Sequence, residues 1–260
     1  MLTVGATPPT ASDPDQLAAE LPQYRHNRAQ HQIQVKVANS SSSVVTVDRF
    51  SLLLPGFEVA GAAEPATELA AGHRVDLPVD YGPAICDAGD PVPATGTPQM
   101  ALWLDGAADP VTIQAQDAGG LLGRLAAQEC ATRAVTDALP MAFDPTLISA
   151  GSGSAPVTTG VLHLGPVTGG QPVRVEGLDG TTLLAITTTG LPLQLSVGDT
   201  LDLMVQVMPQ RCDPHAVIES SRGYLFRVLA GLQGRPSVLV PVPPGDRAVL
   251  AADVQEYCGF

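Results

Sequence analysis

The chain has 260 residues, 45% hydrophobic and 4% aromatic, with 26 acidic against 13 basic side chains. That length suits one large or two ordinary domains, and so much apolar material excludes wholesale disorder. A net charge of −13 repels phosphate backbones and anionic lipid, which excludes a general nucleic-acid-binding role, and no apolar run approaches the roughly 20 residues that span a bilayer.

From the N-terminus, residues 1–15 lack the basic start and apolar stretch of a secretory signal. The expectation is therefore either a cytosolic protein or a mature form given a new Met. A segment over residues 1–28 precedes the first domain, with a short helix expected at 15–21. Strand periodicity then begins, because Ile33, Val35 and Val37 alternate with Gln32, Gln34 and Lys36. A serine run at 40–43 makes a solvated turn, and Val45, Val47, Phe50, Leu52 and Leu54 form the next strand up to Pro55-Gly56. Val75, Leu77, Val79 and Tyr81 alternate in a third. Further strands are expected over 100–104, 111–116 and 121–130, and a linker over 131–156 that ends in the Gly-Ser run 151–154. Met141 to Ile148 is an alternative first strand of the second domain. The second half repeats the pattern through Val161, Val173, Leu201, Tyr224 and Val238. A last strand is expected at 249–257, leading into Cys258. The 26 Gly and 24 Pro supply the turns that such a strand-rich chain needs.

Four cysteines expose a duplication. Cys86 and Cys130 are 44 apart (130 − 86), and Cys212 and Cys258 are 46 apart (258 − 212). The approach to each pair also matches: Leu69, Gly72, Asp76, Leu77, Val79, Pro83 and Cys86 recur without a gap as Leu195, Gly198, Asp202, Leu203, Val205, Pro209 and Cys212. Of the three possible pairings, this repeat favours Cys86–Cys130 with Cys212–Cys258. Structural disulfides of that kind imply an oxidising compartment, so the cysteines favour the mature extracytoplasmic form. A metal site is the weaker reading, since no pair has CxxC spacing. The bias toward Arg, Ala, Gly and Pro fits a GC-rich bacterial genome.

The run from Ile33 to Cys86, reading strand, Asn-Ser turn, strand, Pro-Gly-Phe, Leu-x-x-Gly and alternating strand, resembles the Ig-like or fibronectin-type modules of bacterial extracytoplasmic proteins. The resemblance implies an all-β chain of two tandem Ig-like β-sandwich domains, over 29–135 and 136–260, each with one intradomain disulfide. It selects no single role, because such folds host many.

Site candidates are sparse. Met204, Met208, Cys212 and His215 offer soft ligands for copper, against the plainer reading of Met as packing. Asp80, Asp87 and Asp90 could meet around the Cys86 turn to hold calcium, although ordinary turn aspartates match them better. His26, His31, His73, His163 and His215 are scattered, and no nucleophile elbow or zinc-protease helix is present. No catalytic residue, metal site or cofactor is therefore assigned. The expected function is a non-catalytic extracytoplasmic interaction or structural module of a bacterial cell envelope, secreted or at the cell surface. Its partner would be a protein or envelope component, with Tyr224, Phe226 and Arg227 as contributors if they are not core residues. A small-ligand or metal-binding protein and a hydrolase with a dispersed site are the alternatives.

Overall fold

The fold is that of a computed structural model, which describes residues 14–24, 27, 31–151, 156–213 and 224–259. The chain divides into two compact units, Met1–Glu129 and Cys130–Phe260.

In unit 1 a 3-10 turn, Pro14–Gln16, leads into strand β1, Leu17–Glu20, where a helix was expected. Its backbone is taken up on both sides, antiparallel by β2 and parallel by β9. The strands that follow are β2 Gln32–Asn39, β3 Val45–Leu53, β4 Thr67–Leu69, β5 Arg74–Asp80, β6 Cys86–Asp87, β7 Asp90–Pro91, β8 Gln99–Leu104 and β9 Val111–Gln116. Their order, β4-β3-β8-β9-β1-β2-β5, is a four-stranded and a three-stranded sheet joined through the parallel β9–β1 pair. Buried apolar residues recur at every second position: Ile33, Val35 and Val37, then Leu77 and Val79, then Met100, Leu102 and Leu104; Gln34 is buried as well. The sheets therefore turn one apolar face toward a shared core.

Helix α1, Leu121–Ala138, replaces the strand expected at 121–130 and the start of the expected linker, residues 131–138. Asp117 accepts hydrogen bonds from the Leu121 and Leu122 N–H groups and so starts it. Leu122, Ala126 and Cys130 are buried at four-residue steps, a helical spacing. The boundary between the units falls within this helix.

Unit 2 comprises β10 Met141–Phe143, β11 Ile148–Ala150, β12 Val157–Leu164, β13 Val173–Asp179, β14 Leu184–Thr188, β15 Leu193–Leu195, β16 Leu201–Pro209, β17 Phe226–Leu232, β18 Val238–Val242 and helix α2 Arg247–Cys258. Its sheets run β15-β13-β17-β18 and β10-β12-β16-β14, with β11 also on β12. Strand for strand, the first matches β4-β3-β8-β9 and the second matches β1-β2-β5 with β14 added. The expected last strand is instead α2, which starts at the Asp246 side chain and ends at Gly259 in left-handed conformation. Leu250, Asp253 and Val254 form its buried face. The Asp253 carboxylate enters that interior only because Ser149 and Thr158 donate hydroxyl hydrogen bonds to it. Val135 and Ala138 of α1, and Leu139 just beyond it, join the unit 2 core with Phe143, Val205 and Phe226.

The duplication read from the sequence is geometric as well. Leu69 and Leu195 each end a short edge strand. Each is followed by a four-residue turn closed by an equivalent hydrogen bond, His73 N–H to Ala70 O (3.1 Å) and Asp199 N–H to Ser196 O (3.0 Å). Gly72 and Gly198 take the third position of these turns at φ +71° and +87°, as a type II turn requires. Cys212 is bonded to Cys258. Cys86 and Cys130 are disulfide-bonded too, leaving no free cysteine. The protein is thus all-β in its sheets, built of two β-rich sandwich units with one disulfide each, and both strands expected to close the units are helices.

One difference between the copies follows from a single position. Pro78 lies opposite Gln34, whose N–H is donated away from β5 to Pro22 O (2.9 Å). The backbone of Pro78 therefore faces the open edge of the sheet, and with no N–H it blunts that edge. The equivalent residue in unit 2 is Met204, and there the edge carries β14, with the Thr188 hydroxyl donating to Met204 O (2.7 Å).

Because Gly72 and Gly198 hold the same strained turn, Gly72→Ala and Gly198→Ala should each destabilise the protein by about 1–2 kcal/mol. Urea unfolding of the oxidised protein measures this. No loss at either position would contradict the shared turn.

Candidate interaction surfaces

The sequence-named contact residues do not converge. Phe226 is 1% exposed in the unit 2 core and packs on Phe143, with ring centroids 5.5 Å apart. It is a core residue and presents no contact surface, because it occupies the inward phase of β17. Arg227, one residue on, points outward and pairs with Asp179 on β13. Tyr224 is half-buried against the core, with the Arg247 guanidinium over its ring at 4.9 Å.

The metal candidates are spread out in the same way among the described residues. Met204 is 64% exposed, but Met208 stands four residues along an extended strand, about 13 Å away, and is only half-exposed. Cys212 is locked in its disulfide, while His26, His215 and the Gly-Ser run at 152–154 lie outside the described residues. Asp87 and Asp90 face each other across a two-residue hairpin at Ala88-Gly89, whereas Asp80 ends β5 opposite Gln32. Among the described residues, no group of three or more His, Cys, Asp or Glu side chains could hold a metal ion. No helix among them is long and apolar enough to cross a membrane.

Two histidine–carboxylate arrangements escaped sequence reasoning, one because it depends on where helix α1 packs and the other because it depends on cross-strand register. In unit 1 one Glu129 oxygen meets His31 Nε2 at 3.0 Å and the other accepts the Ala84 N–H at 3.0 Å. His31 stacks on Tyr81 with centroids 4.0 Å apart, and Phe57 meets Tyr81 edge-on. Burial, then the charge and hydrogen bond of Glu129, push the Tyr81 phenol well above its ordinary value, so it stays protonated. In unit 2 His163 lies opposite Asp202 in the β12–β16 register, with Nδ1 at 2.7 Å from Asp202 and Nε2 at 3.6 Å from Asp144. The Asp202 hydrogen bond, chiefly, raises the pKa of this exposed ring. Among the described residues no serine, threonine or cysteine bonds to either ring, so neither histidine is set to activate a nucleophile.

The outer faces of the matched sheets differ in chemistry. Across β2 and β5 of unit 1, Lys36 faces Asp76, Gln34 faces Pro78 and Gln32 faces Asp80. Across β12 and β16 of unit 2 the same three places hold His163 with Asp202, Val161 with Met204, and Thr159 with Gln206. Ile148, 63% exposed, stands beside Thr159 on β11. In unit 1 the middle pair is buried Gln34 against exposed Pro78, with charges at both ends, and its copy carries an apolar middle with charges at one end.

Comparison with known proteins returns no matching family model and no matching curated protein. Solved structures with some likeness include a protein of unknown function from Porphyromonas gingivalis (13% identity, 88% of this chain and 99% of that one, TM-score 0.22). Another is a chaperone–tip adhesion subunit pre-assembly complex from Acinetobacter baumannii Csu pili (12% identity, 82% and 91%, TM-score 0.21). A third is a domain fragment of intimin (8% identity, 87% and 94%, TM-score 0.19). At such scores no residue correspondence or activity passes from them to this chain.

A raised histidine pKa fixes the sign of one pH effect. The stabilisation from His163 is complete below its ordinary value of 6.5 and is lost as pH rises through the higher folded value. NMR titration should place the ring above 6.5, and Asp202→Asn should lower it and flatten the fall in unfolding midpoint over that window. A ring titrating at or below the ordinary value would contradict the geometry.

Proposed function

We propose that the chain is a non-catalytic, extracytoplasmic binding module of a bacterial envelope, secreted or held at the cell surface, with a protein as its partner. The paired cysteines support the compartment, since structural disulfides belong to oxidising environments. The observation that carries the binding role is the contrast between equivalent sheet faces. Val161 and the 64% exposed Met204 stand where the other copy has Gln34 and Pro78. Gln34 is buried in unit 1, whereas Met204 stands open in unit 2, and exposed apolar side chains on a sheet face mark contact surfaces. Met also suits a surface that adapts to its partner.

A photo-crosslinking residue placed at Met204, or at Asp80 on the unit 1 counterpart, separates the two faces in an envelope fraction. Discrete protein adducts are expected from position 204 and not from position 80. Equal labelling at both, or none at either, would count against the assignment.

A further inference from the structure

The single tryptophan of the chain lies outside both cores. Along β3, Val47, Phe50 and Leu52 point inward, as do Met100, Leu102 and Leu104 of β8. Their neighbours form three outward pairs: Arg49 with Trp103, Ser51 with Ala101, and Leu53 with Gln99. A register shift between Val47 and Arg49 brings this about, and bulges of this kind re-aim side chains. The Arg49 guanidinium carbon sits 3.9 Å from the Trp103 ring centroid. Leu53, at the other end of the row, is 54% exposed.

Arg49 is unlike the other arginines of matching strands. Unit 2 has the same shift, between Val175 and Gly177, but there Gly177 and Leu229 replace the Arg–Trp pair. Its basic residues on these strands are answered within the chain, Arg174 by Glu176 and Arg227 by Asp179. Among the described residues the Arg49 side chain has no ion pair and no hydrogen bond, only the tryptophan. The nearby carboxylates are engaged elsewhere: Asp48 accepts the Gly106 N–H at 2.6 Å and Asp105 accepts the Thr46 N–H at 2.8 Å. In a chain of net charge −13, an arginine fork without a carboxylate partner on a flat apolar base is complementary to an acid from outside.

We propose that the β3–β8 face of unit 1 docks a protein segment that presents a carboxylate to Arg49 and an apolar side chain to Leu53, with Trp103 as the rigid base. Trp and Arg are the residues most enriched at energetic centres of interfaces. A saccharide is the poorer occupant, because the guanidinium already covers the indole face on which a sugar ring would stack. The inference rests on the reading of the chain as a binding module, but it concerns a different face.

The test is selection of random, tryptophan-free displayed peptides on the full oxidised chain, with the fluorescence of Trp103 as the binding signal. The expected peptides share an Asp or Glu close to a large apolar residue and change that fluorescence saturably. Arg49→Gln should weaken them by about tenfold or more, and Met204→Gln should leave them unchanged. Peptides without an acid, no selected peptide, or binding indifferent to Arg49→Gln would overturn the proposal. Binding lost in Met204→Gln but not in Arg49→Gln would overturn it while supporting the unit 2 face. Polygalacturonate perturbing Trp103 through Arg49, where peptides do not, would replace the protein segment with an acidic polysaccharide.

Discussion

Each unit depends on one constrained run: a glycine turn, an alternating strand, and a cysteine just past the strand's end. Gly72 and Gly198 turn the chain from one sheet to the other at positive φ. The strand that follows buries Leu77 and Val79 in one copy, Leu203 and Val205 in the other. Because the side-chain period is two, a slip of one residue would turn these leucines and valines to solvent. In unit 2 the cysteine bond, 46 residues long in sequence, ties the run to the end of α2. On the chain-entropy model such a loop contributes about 4 kcal/mol.

With the inward phase fixed by the core, the outward phase was free to diverge. At one matched position Pro78 ends the growth of its sheet and Met204 admits a further strand. At another, the shared register shift leaves Gly177 in one copy and sets Arg49 on Trp103 in the other. The copies hold one architecture while presenting a proline-edged face, a methionine-bearing face and an arginine–tryptophan face. Fold and binding chemistry are separable here because they occupy alternate residues of the same strands.

What could be read beforehand follows the same division. Val35, Leu77, Val205 and Val240 announce strands because period two is local, and the matched Leu-x-x-Gly to Cys runs announce the duplication. Both closing helices were missed. Their apolar residues are short Ala-rich or Val-rich runs that suit either period, and only the caps decide, Asp117 for one and Asp246 with Gly259 for the other. The Phe226–Arg227 pair was read as one surface although alternation splits it between core and solvent. The His163–Asp202 and Arg49–Trp103 contacts join residues 39 and 54 positions apart in sequence (202 − 163, 103 − 49). They exist only once strand register is set, so no local pattern announces them.

The central claim is a duplicated pair of oxidised sandwiches, and disulfide mapping tests it most directly. Non-reducing peptide mass spectrometry on protein isolated without reductant from its native source should find Cys212 linked to Cys258 and Cys86 linked to Cys130. A bond joining Cys130 to Cys212, or four free thiols, would contradict both the repeat and the compartment.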